Sequence, residues 1–118
     1  MQHQIWYDNE DDLVRLNIIG KFSKDDARET LTQVSKLLEN SQRRYFLADI
    51  SGSPNLTIDR DTRKVLQGGS PEFERVALVG ATPVTRMIAK VIVTVVARSA
   101  TTKFCKTQEE ALAWLRGQ

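Results

Sequence analysis

Cysteine is almost missing from this chain. Cys105 is the only one, so no disulfide can form within the chain, and a reducing, cytoplasmic setting is expected. Histidine is equally scarce. His3 has no second His and no Cys beside it, while a metal centre needs three or four clustered ligands, so no metal is expected and a plain strand histidine is the better account. Long hydrophobic runs are absent too. The most apolar stretch, Val84 to Ala97, is interrupted by Arg86 and Lys90 and is well short of the ~20 residues that cross a bilayer. No transmembrane segment is expected, and nothing at the start has the basic, apolar, small-residue order of a signal peptide.

An excess of one charge sign is also lacking. Seventeen basic and 15 acidic residues leave a formal net charge of +2, too balanced for the broad positive field that nucleic-acid binding uses, so no nucleic-acid partner is expected. The six glycines are scattered with no GxGxxG and no Walker sequence, so no nucleotide cofactor is expected. Asp8, Glu10, Asp11 and Asp12 cluster, but without the glycine and terminal glutamate of a calcium loop they read as a solvated turn. No repeat, low-complexity tract or long linker divides the chain, which predicts a single domain over residues 1–118.

What is present is a hydrophobic content of 41% with 27% charged residues of both signs interspersed, enough to fill one core and unlike a disordered chain. Ile5, Trp6 and Tyr7 lie in a short strand from His3 to Asp8, and Val14, Leu16 and Ile18 alternate with Arg15 and Asn17 in a second. The polar residues between them predict an antiparallel hairpin. Ser23 and Asp26 form a capping box ahead of Ala27, Leu31, Val34 and Leu38 at helical spacing. Tyr45 to Ile50 reads as a buried strand ending at Ser51 to Pro54. A second helix is expected from Thr57 or Asp59 to Gln67, stopped by Gly68 and Gly69 in left-handed conformations. Arg75 to Val79 is another buried strand. Thr82 and Pro83 start a third helix running to about Arg98, Thr102 to Cys105 makes a last strand, and a second capping box, Thr107 with Glu110, opens a helix ending at Gly117. The order β-β-α-β-α-β-α-β-α predicts an α/β fold with a mixed sheet of about five strands packed with four helices.

Two segments, Tyr45-Phe46-Leu47-Ala48-Asp49-Ile50-Ser51-Gly52 and Thr107-Gln108-Glu109-Glu110-Ala111-Leu112-Ala113-Trp114-Leu115, together with this element order, make the chain similar to the STAS superfamily (sulphate transporter and anti-sigma-factor antagonist), in its SpoIIAA-like branch. The resemblance implies a non-enzymatic, bacterial-type regulatory module that binds a protein partner or a small ligand. In antagonist members a Ser or Thr at the start of the helix after the Asp-x-Ser-Gly strand is phosphorylated. The corresponding window here is Asn55-Leu56-Thr57-Ile58-Asp59, in which Thr57 is the candidate phosphoacceptor, with helix capping as its alternative role.

Two further constellations are candidates. Asp49 and Ser51 leave one strand and Gly80 to Thr82 leave the next, each ahead of a helix start where free amides favour anions. With Asp59, Arg60, Arg63, Thr82 and Arg86 nearby in sequence, a small anionic ligand or phosphorylated partner is one expectation; simple loop bonding by Asp49 and Ser51 is the other. The third helix carries Met87, Val91, Ile92 and Val95 among so many apolar residues that a single sheet face cannot cover them. Either part of it packs on a second copy as a homodimer, or the surplus lines a pocket for a lipid-like ligand, as in the distantly similar CRAL-TRIO domains, or it rests on a membrane surface, or neighbouring helices bury it. Cys105 has no His to activate it, and no catalytic residues are assigned. The expected function is therefore non-enzymatic binding through protein contacts, with carriage or sensing of a small apolar or anionic ligand as the alternative.

Overall fold

Partial alternation from Leu13 to Ile19 and near-continuous apolar runs within Tyr45–Gly52 and Arg75–Val79 build the sheet. The computed structural model describes residues 2–39 and 41–117, with 95 and 96 described as helical backbone only. β1 (Gln4–Asp8) pairs antiparallel with β2 (Leu13–Ile19), and their turn is held by Asp8, whose Oδ1 accepts from the amides of Glu10 at 3.0 Å and Asp11 at 3.2 Å. β3 (Tyr45–Gly52), β4 (Arg75–Val79) and β5 (Thr101–Cys105) follow in parallel, and the order across the sheet is β1-β2-β3-β4-β5.

Helices α1 (Lys24–Leu38), α2 (Arg60–Gly69) and α3 (Pro83–Val96) make the three crossovers. Each joins neighbouring parallel strands in the same direction, so right-handed connections place all three on one face. α4 (Gln108–Leu115) follows the last strand and turns back over the other face. Two apolar layers result. Leu13, Leu47, Ala77, Val79 and Cys105 pack on Ala111 and Leu115 of α4. Leu16, Ile18 and Ile50, with Phe22 and Leu66, pack on the three-helix side. α4 lies mainly over β3, β4 and β5 and reaches β2 through Leu13 and Arg15.

Local details depart from expectation in physically clear ways. His3 lies just outside β1 but is buried, with Nδ1 accepting from the Ile19 amide at 2.9 Å and the ring tilted on Phe22. Gly68 and Gly69 sit in the last turn of α2 rather than stopping it; the cap is Ser70 in extended conformation, followed by Pro71. Pro71 disfavours helical backbone at the residue before it, so the chain leaves the helix there without a left-handed glycine. α3 ends at Val96, with Ala97 as its cap. Thr107 caps α4 as expected, but the Glu110 carboxylate takes the Lys106 amide at 3.1 Å rather than that of Thr107. Asp11 is buried rather than solvated, and Arg116 Nε donates to it at 2.6 Å.

Candidate functional site

The loop after β3 is organised by one carboxylate. Asp49 Oδ1 accepts from the Ser51 amide at 2.9 Å and the Ser51 hydroxyl at 2.6 Å, and its Oδ2 accepts from Gln108 Nε2 at 2.6 Å. Gln108 Oε1 in turn accepts from Arg15, which also donates to Asp8 Oδ2 at 3.2 Å. Arg15 lies over the Trp6 ring, 5.2 Å from its centroid. A continuous polar chain thus joins β1, β2, the first turn of α4 and β3. Partial burial pushes the Asp49 carboxyl up, but the bonds from Ser51 and Gln108 and the charge of Arg15 outweigh it and hold the group below its ordinary value. Gly80, with φ of +82°, brings the next loop against this one: a Cβ there would stand 2.5 Å from the Ser51 Cβ.

Of the residues expected near the helix starts, Asp49 and Ser51 meet each other, and the rest act locally. Asp59 is the cap of α2, accepting from the Thr62 amide at 2.8 Å, which lowers its pKa. Thr57 is therefore not the cap and lies exposed two residues earlier. Thr82 caps α3 reciprocally with Thr85, at 3.1 Å and 2.7 Å. Arg60 is exposed and Arg63 half-buried on α2, while the Arg86 guanidinium lies 4.7 Å over the Phe104 ring of β5. Among the described residues none of the three guanidinium groups shares a hydrogen bond or ion pair with Asp49, Ser51 or Thr82; Arg86 meets Thr82 only through the backbone, its amide donating to the Thr82 carbonyl at 2.8 Å. At each of these two helix starts the chain's own cap takes one of the free amides on which an anion would rely.

α3 presents the other candidate surface. Val84, Met87 and Val91 are 68%, 71% and 49% exposed, large values for apolar side chains. Thr85 and Ala89 are buried on the opposite side, and Ile92 and Val93 are half-buried beneath. Ile92 thus belongs to the inner wall and not to the outward face. The side chain of Val95, expected on this surface, lies outside the described residues. Ala89 of α3 packs on Ala48 of β3 and Leu78 of β4, and between the sheet and the three helices is an apolar cavity of about 140 Å³ lined by residues such as Phe22, Leu31, Phe46, Leu66, Ile88 and Ile92.

The remaining reactive groups are withdrawn. His3 faces Asp26 with Nε2 at 3.3 Å, a bond that helps lower the Asp26 carboxyl alongside the larger effect of the Ser23 amide. Burial, first, and the charge of Glu110 push the Cys105 thiol up, so it is a poor nucleophile. Among the described residues no group of three metal-ligating side chains converges, and no helix is long and apolar enough to cross a membrane. Sequence reading missed Arg15 and Gln108, which become partners of Asp49 only through the folding of α4 onto the sheet. The only local hint of that contact was a Gln at the first position of a capped helix.

Residues 13–116 match the protein-family model described as SpoIIAA-like. Among solved structures, an uncharacterised protein of the DUF3478 family with a SpoIIAA-like fold, from Shewanella loihica PV-4, is 21% identical; the alignment covers 96% of this chain and 91% of that one with a TM-score of 0.67. The anti-sigma factor antagonist SpoIIAA in its unphosphorylated form is 14% identical, with 98% and 97% covered and a TM-score of 0.66. No curated protein matches the chain.

Proposed function

The chain belongs to the SpoIIAA-like family, and from that premise we propose that it is a non-enzymatic regulatory module that works by binding a protein partner through the outward face of α3. The observation that carries this reading is the exposure of Val84, Met87 and Val91 on one helix, because contiguous exposed apolar side chains mark interaction surfaces. The chemistry of the titratable groups supports it. General acid-base work needs a group poised near neutrality, whereas Asp49, Asp26 and Asp59 are held low and Cys105 is pushed up.

Carriage of a small apolar ligand is the second reading, favoured by the cavity beneath α3. Its size decides between the two: about 140 Å³ suits a benzene-sized ring and is under half of the ~300 Å³ at which ordinary ligand pockets begin. An acyl chain would need α3 to move outward.

The test is capture of binding proteins by the wild type and by Met87→Asp, with native mass spectrometry of both. Loss of a captured protein from the variant at unchanged melting temperature is expected. A small molecule bound to the wild type, with the same proteins captured by both forms, would instead establish the second reading.

A further inference from the structure

We infer that the partner of α3 is an acidic amphipathic helix, whose apolar seam packs on Val84, Met87 and Val91 while its carboxylates meet Arg86 and Lys90. The inference rests on the reading of α3 as a protein-contact surface and adds the chemistry of what binds there.

Charge distribution carries the argument. From Arg75 to Lys106 the chain has no Asp or Glu, and its charged residues are Arg75, Arg86, Lys90, Arg98, Lys103 and Lys106. With a formal net charge of only +2 overall, the remainder is net acidic; Arg75, over Tyr45 and Trp114, and Lys103, 4.0 Å from Glu110, lie on the α4 side, so the cations α3 itself carries are Arg86 and Lys90. Arg86 and Lys90 are exposed, and among the described residues neither is paired with a carboxylate. Lys90 borders the seam and Arg86, its guanidinium over Phe104, lies further round the same flank; an apolar seam flanked by cations is complementary to an apolar seam flanked by anions.

The shape of the seam selects a helix. Val84, Met87, Val91 and Thr94 recur at intervals of three, four and three, and all four are exposed. At 3.6 residues per turn they fall within an arc of roughly 80°, the narrow a/d stripe that seats a second helix. Thr94 brings no unmet donor to that stripe, since its hydroxyl bonds the Lys90 carbonyl at 2.8 Å. Methionine at the centre is the side chain best able to adjust to a partner's surface. A bilayer surface calls for a wider face with Trp, Phe or Leu, and the outward side of α3 has none. A second copy of this chain is disfavoured by the same cations, because a two-fold contact across α3 sets Arg86 and Lys90 of one copy near those of the other.

The test uses three 21-residue peptides, cross-linked into helices, that share a leucine heptad seam and carry Glu, Gln or Lys at the flanking positions. Fluorescence anisotropy should rank them Glu, Gln, Lys, with about a tenfold spread at low salt that collapses near 1 M salt, where screening acts within about 3 Å. Met87→Asp should remove binding of all three, and the double variant Arg86→Glu/Lys90→Glu should invert the order. Equal binding of the three peptides, lost in Met87→Asp, would overturn the acidic partner and leave the α3 surface standing. Binding of no peptide, without self-association, would overturn the partner and the protein-contact surface together, and so would Met87-dependent sedimentation with phosphatidylcholine–phosphatidylglycerol vesicles alone. Met87-dependent self-association in sedimentation velocity, with no peptide bound, would replace the acidic helix with a second copy.

Discussion

Asp49 shows how far one side chain depends on its neighbours. Three hydrogen-bond donors and the charge of an arginine act on it, so its folded pKa lies below that of the unfolded chain, about 3.9. Such a group contributes stability that is fully present above the unfolded pKa and is lost as pH falls through the lower, folded value. Asp49→Asn should therefore flatten the rise of the urea midpoint as the pH is raised from acid through the ordinary carboxylate range, without removing it, because Asp26 and Asp59 are lowered as well. Equal slopes in the two proteins would contradict the network. Gly80 is the second decisive residue. Its φ of +82° and the 2.5 Å approach to Ser51 mean that Gly80→Ala should cost about 2 kcal/mol or more, a fall in melting temperature of about 8 °C by calorimetry.

At the scale of the element, the helices follow from their caps and their apolar faces. Ser23, Thr82 and Thr107 each accept the amide three residues on, and all three starts were legible because a short hydroxyl residue before an apolar period has one obvious use. Thr82→Ala should lower the melting temperature by about 4 °C, corresponding to about 1 kcal/mol for a lost cap. α2 was less legible. Thr57 and Asp59 are both capping residue types, and only the backbone path decides that Asp59 is the one; Gly68 and Gly69 looked like a stop, yet Pro71 two residues later is sufficient to end the helix. In α3 the composition showed an apolar surplus but could not say which residues face inward. Burial assigns Ala89 and Ile92 to the interior and leaves Val84, Met87 and Val91 outside, so Met87→Asp should disturb binding and not folding.

For the molecule as a whole, the sheet order follows from the number and direction of its crossovers, and that order leaves α4 as the only helix on its face among the described residues. Leu115, 1% exposed and packed with Leu47 and Val79, holds that layer closed. Leu115→Ala should cost about 2–5 kcal/mol in urea unfolding, more than any cap. The sequence by itself determined the nine elements, their α/β alternation and the family resemblance, because hydrophobic period, capping residues and turn formers act over a few neighbouring residues. The tertiary structure alone decided that Asp8, Arg15, Gln108 and Asp49 form one chain, that the arginines near the helix starts do not converge, and which side of α3 faces water. Those outcomes depend on side chains up to 93 positions apart, as between Arg15 and Gln108, being brought together by packing, and no local pattern encodes such a meeting.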